Sequence, residues 1–281
     1  MTNAERQRAF HIAGSLSGSD SIMADLFYSA RLTLVRAQHH IRDFNTTVNE
    51  FVNGNPWTEF IDKDSNPSQD LYKVKLTHAL PEMLPCILFD ATNNLRAVLD
   101  QAGYASAVAA KRPSLKAVKF PFGPTENDFR NNSAGGCKDL PSEIRTIFEN
   151  SNAYKGGDST LWALNEIANT KKHCALKPLV VANPSVFFSG ESVGKGGISQ
   201  IVSPGGFGIG WDPEKNEITL MSVPAGSNFR IDSLITFDIA IEGIDTLGSQ
   251  PAIHVLNAMS QKVERILLAT EAECRRLGFI K

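Results

Sequence analysis

An α+β fold follows from three features of the sequence: two long apolar stripes of helical period, a run of β-rich segments between Pro178 and Gly243, and a final amphipathic helical stretch. Together they predict a helical bundle of two long helices, two shorter ones and a C-terminal helix. A β-hairpin and a β-rich insert accompany it, the insert forming an antiparallel sheet or small sandwich. The expected organisation is a flexible N-terminus over residues 1–18, a bundle over 19–175 plus 250–278 with the hairpin at 57–78, and the insert at 176–249.

The first long helix is expected over 20–52, where Ala30, Leu34, Ala37, Ile41, Phe44, Val48 and Phe51 advance by steps of four and three. Gly54 and Pro56 stop it. Tyr72, Val74, Leu76 and His78 then alternate with Lys73, Lys75 and Thr77, the period of a strand with one wet face; with 57–61 it makes the hairpin. Pro81 suits the first turn of the second long helix, striped by Leu84, Leu88, Ala91, Leu95, Val98, Ala102, Ala105 and Ala109 and closed by Pro113. After a loop holding Phe120, Pro121 and Phe122, shorter helices are expected at 140–150 and 159–171, the latter capped by Asp158 or Ser159. The insert follows, with strands expected at 180–181, 186–188, 217–223 and 234–241. The last helix, 251–277, carries Leu256, Met259, Val263, Ile266, Thr270 and Leu277 on one face and meets Gly278.

A chain of 281 residues, 42% hydrophobic and 21% charged, is long enough and apolar enough to bury a core without crosslinks. Its formal charge of -2 argues against whole-protein attraction to nucleic acid or an anionic membrane, leaving room for a local basic patch. The cysteines, Cys86, Cys137, Cys174 and Cys274, include no CxxC pair and are expected to be free thiols, with Cys86 and Cys274 on apolar helical patterns. With no apolar run long enough to span a bilayer, the expected setting is cytoplasmic and no membrane partner is foreseen. Neither a cofactor nor a metal is expected.

Two polar concentrations interrupt this ordinary composition. The first is the 90–101 stretch, in which Asp90, Asn93, Asn94, Arg96, Asp100 and Gln101 gather on a helix that Asn and Asp do not favour. A polar network locking two helices is the ordinary explanation; a binding surface is the other. The second is Asn169, Lys172 and His173 at the end of the fourth helix, where cations complement the helix dipole and His173 can exchange a proton near neutral pH.

Leu80-Pro81, Asp90-Ala91, Asn94-Leu95-Arg96, Leu99-Asp100 and Phe120-Pro121, followed by Leu161-Trp162-Ala163-Leu164, Asn169 and Lys172-His173, resemble a bacterial family of unknown function. Its members read GDAxHNLRSALDHL, FPI and LWxLxxLNxxDKHR in that order, and the Arg-x4-His element is similar to the signature of HEPN helical domains, many of them dimeric metal-independent ribonucleases. The resemblance implies an Arg that holds phosphate charge beside a His that moves a proton. Arg96 matches the first element, but Gln101 stands where the second histidine belongs, Asn93 where the earlier one does, and Lys171 and Cys174 flank Lys172-His173. The implied function is therefore a catalytically degenerate, HEPN-like protein that binds RNA, a nucleotide or a protein partner, as a homodimer. A ribonuclease in which Arg96 and His173 are the catalytic pair is the alternative, and an assembly subunit is the third.

Weaker patterns are read as structural. Gly205 to Gly210 alternate glycines ahead of a β-like run, so they suit turns or bulges better than a phosphate loop. His39 and His40 are neighbours on a helix and point apart, and His78 is expected half-buried in its strand. The segment 189–192 lacks the spacing of a hydrolase elbow.

Overall fold

The computed structural model describes residues 25–63, 67–115, 118–170, 176–188, 200–201, 211–212, 214–226, 229–248 and 250–281. Helix α1 spans Tyr28–Asn53 and buries Ala30, Leu34, Ala37, Ile41, Phe44 and Val48, the stripe its sequence lays out. Gly54 keeps right-handed φ, and the chain turns instead at Asn55 with φ 48°. Helix α2, Leu84–Ala109, packs along α1 and buries all eight positions of its expected stripe. Its first turn is occupied by Pro85 rather than Pro81, because the Leu84 N–H bonds back to Pro81 O at 3.1 Å and starts the coil later.

Helix α3, Glu126–Gly136, occupies a stretch for which the sequence predicts no helix. Thr125 caps it, its Oγ1 accepting from Asp128 N at 3.2 Å and donating to Asp128 Oδ2 at 2.6 Å. Helix α4, Ser142–Glu149, is tied to α3 where Ser133 Oγ and Arg145 Nε both donate to Glu149 Oε1. Helix α5, Ser159–Asn165, starts at Asp158, whose Oδ1 accepts from Thr160 N and Leu161 N; it widens into a π-turn over Glu166–Thr170. Helix α6, Ala252–Arg276, closes the bundle against α1 and α2 and ends before Gly278 at φ 73°.

Strands β1, Trp57–Asp62, and β2, Gln69–Leu76, form the expected hairpin, which extends into the insert rather than standing alone. Strand β3 spans Leu176–Phe188, β4 Gln200–Ile201, β5 Trp211–Asp212, β6 Glu217–Pro224 and β7 Phe229–Ile241. One antiparallel sheet runs β1-β2-β6-β4, with β5 also on β6, while β3 and β7 pair as a long antiparallel ribbon. The two meet where Trp57 packs on Phe237 at 4.2 Å between ring centroids. Ile239 and Ile241, at the end of β7, enter the helical core with Ile244 and Leu247. The α+β class is borne out.

Several local expectations change. Lys73 is buried although its strand position reads as wet, because the β2–β6 register shifts between Tyr72 and Lys73 and brings it between Asp62 at 2.5 Å and Glu217 at 3.5 Å. His78 is exposed, its Nδ1 sharing a hydrogen bond with Thr77 Oγ1 at 2.9 Å. Cys137 and Cys274 are buried free thiols, but Cys86 is exposed, since it falls about 200° round the helix from Leu84. Lys171, Lys172, His173 and Cys174, the glycines at 205–210 and the segment 189–192 lie outside the described residues. No helix among the described residues is long and apolar enough to cross a membrane.

Candidate functional site

A cleft of about 460 Å³ opens where α2, the 119–124 loop, α3 and the α5 π-turn meet. Arg96 is its centre. The helix backbone projects it from α2 one turn before Asp100, while Leu95 and Leu99 beside it are fully buried and fix the helix against rotation. The guanidinium lies over the Phe122 ring, 5.5 Å from its centroid, so its flat face rests on an aromatic floor. One edge meets the last residue of α5: Nε donates to Asn165 Oδ1 at 3.4 Å. Asn169 Nδ2 donates to the same Asn165 Oδ1 at 2.7 Å. Turned over, the Asn169 amide would offer its oxygen to Arg96 Nε and Nη2 at 3.3 Å each, and Asn165 would then have to turn its own amide to donate across the 2.7 Å contact.

Asp100 sits behind Arg96 and serves the loop. It accepts the Phe120 N–H at 2.8 Å, while Arg96 Nη1 stands 3.9 Å from its other oxygen. Burial pushes its carboxyl above the usual range; the Phe120 hydrogen bond and the charges of Arg96 and Lys119 pull the other way. The loop is further fixed by Asn132 Nδ2, which donates to Phe122 O at 2.7 Å, and by Phe120 packed between Phe122 and Phe148. Gly123 admits no side chain, because a Cβ there would stand 2.3 Å from Phe129 N.

The remaining wall comes from Lys119, Trp162, Asn131, Asn132 and the backbone of Gly135 and Gly136. Among the described residues that line the cleft there is no Asp or Glu, whereas Arg96 and Lys119 bring two cations and four Asn side chains bring amide groups. Such a wall is electropositive and rich in donors. It is suited to an anionic group with hydrogen-bonding substituents.

Of the residues singled out by sequence, Arg96 and Asn169 share the cleft and Asp100 supports it. Asn93 and Gln101 are half-buried on α2 and absent from the cleft wall, and Gln101 Oε1 is sealed without a hydrogen-bond partner among the described residues. Asp90 is exposed and turned towards α1, where its charge acts on His40; Asn94 donates to Asp90 O at 2.9 Å and faces an α1 groove. Asp90 and Arg96 thus serve different faces. Lys119, Asn131, Asn132 and Asn165 were not singled out; the Thr125-x-x-Asp128 capping pattern ahead of Phe129 is the sequence signal that places the helix supplying two of them.

Set beside protein-family models, curated proteins and solved structures, the chain matches none.

Proposed function

We propose that the protein binds a nucleotide or a short single-stranded RNA segment in the Arg96 cleft and does not turn it over, as a catalytically degenerate HEPN-like protein. The observation that supports this reading is the pairing of Arg96 and Lys119 on a cleft wall to which no described residue brings a carboxylate. Arg96 is braced by Asn165 and Phe122, so little conformational freedom is lost when a phosphate arrives. The volume suits a nucleotide-sized ligand, and the surrounding amides match the donors and acceptors of a base or ribose. Binding without cleavage is favoured because Gln101 replaces the histidine that the family resemblance requires and does not line the cleft.

Fluorescence anisotropy with a labelled oligoribonucleotide, competed by AMP and by inorganic phosphate, tests this. Arg96→Ala is expected to weaken binding by about 1.5–3 kcal/mol, the worth of a charge-assisted contact. Tight binding left unchanged by Arg96→Ala would remove the cleft from consideration. RNA shortened on incubation with the protein would instead establish a ribonuclease.

A further inference from the structure

Opposite its core stripe, α1 carries a second line of side chains, Tyr28, Leu32, Val35, His39 and Arg42, spaced by steps of four and three. Helical geometry sets this line about 200° from the buried one. Tyr28, Leu32 and Val35 are 56%, 55% and 51% exposed, so their apolar surface meets solvent rather than the bundle. Leu32, Val35, Arg36, His39, Arg42 and Asn94 border a hollow of about 590 Å³ along this face. His39 stands 3.6 Å from Asp43, whereas Arg36 and Arg42 form no ion pair among the described residues.

We infer that this face of α1 docks an acidic amphipathic helix of a partner protein. An apolar line with helical spacing accepts the apolar stripe of a second helix, and Arg36 and Arg42, neither of them in an ion pair among the described residues although Asp43 and Asp90 act on His40 nearby, complement Asp or Glu on the flank of that stripe. A second copy of this chain fits poorly. Antiparallel pairing about Val35 sets Arg36 of one copy beside Arg36 of the other, and like charges across an interface cost affinity. RNA is the less favoured occupant, because Leu32 and Val35 at the centre of the line give a base no stacking face and the aromatic rings, Tyr28 and His39, stand apart on either side of them. The inference is independent of the Arg96 cleft, which lies on another face of α2.

Two labelled synthetic helices of about 20 residues, long enough to be helical, test it on the full chain. Both carry a Leu stripe; one carries Glu beside it and the other Lys. The Glu helix is expected to bind and the Lys helix not to. Arg36→Glu combined with Arg42→Glu is expected to weaken binding at least about tenfold. Leu32→Asp is expected to do so by about tenfold too, with circular dichroism showing that each variant keeps its fold. Failure of the Glu helix to bind, equal binding of both helices, or indifference to these variants overturns the inference. A sedimenting dimer split by Val35→Asp would give the face to a second copy. A labelled oligouridine released by the double arginine variant would give it to RNA, and either result also overturns the proposal.

Discussion

Asp100 Oδ1 accepts the backbone N–H of Phe120 at 2.8 Å, so a single carboxylate on α2 anchors the loop that floors the cleft. The Leu99-Asp100 and Phe120-Pro121 elements of the sequence are therefore two halves of one contact. Burial raises the Asp100 carboxyl above its ordinary range. The folded state then holds that proton to higher pH than the unfolded chain, so stability falls as pH rises from about 3.9 through the raised folded value. Asp100→Asn abolishes this titration and keeps an oxygen for Phe120; its melting temperature is expected to fall less than the parent's across that window. Asp100→Ala orphans the Phe120 N–H and is expected to cost about 1–3 kcal/mol in chemical denaturation.

Gly123 lets the loop touch the start of α3, since a Cβ there would come within 2.3 Å of Phe129 N and 2.7 Å of its Cα. Backbone cannot yield as a side-chain tip does. Gly123→Ala is expected to lower stability by about 1–3 kcal/mol, the usual cost of overpacking. It should also weaken ligand binding in the cleft, because Phe122 and Pro124 move with the loop. A melting curve and an anisotropy titration on the same sample check both effects.

The periodic parts of the fold are legible in the sequence because burial there repeats along one helix. Every stripe position of α2 from Leu84 to Ala109 is buried, as its spacing demands. Helix α3 escapes that reading because only Phe129 and Ser133 of its residues are buried, too few to define a period. Lys73 escapes it for a different reason: its burial arises from a register shift against β6, far away in the chain. At the site, Arg96 and Asn169 stand out as polar residues in helical surroundings. Lys119, Asn131 and Asn132 do not, since three separate segments must fold together before they share a wall.

Lys73 is held between Asp62 and Glu217 with its side chain 9% exposed. The hydrogen bond to Asp62 raises its ammonium above the usual range against the opposing cost of burial. A raised folded value means that the stabilising charge is fully present below about 10.4 and is lost as pH climbs through the folded value. Lys73→Ala sets two carboxylates across the bulge without the cation between them. It is expected to cost about 3 kcal/mol at neutral pH, in the manner of a broken buried pair. The penalty should shrink in denaturation experiments run above pH 10.5, the reference value for a lysine.

Arg96 and Lys119 are the cations on the cleft wall among the described residues, and their number sets how binding to that wall responds to salt. Each phosphate neutralised on a single strand contributes a slope of about -0.7 to log K against log salt, so two contacts predict about -1.4. Lys119→Ala is expected to halve that slope and to weaken binding similarly for every sequence, as loss of a point charge does. Arg96→Lys keeps the charge and the slope. It gives up the planar edge that meets Asn165 and the flat face on Phe122, so affinity should still fall. Titrations of the parent and both variants between low and physiological salt separate these effects: a slope unchanged by Lys119→Ala would mean that phosphate does not reach this wall.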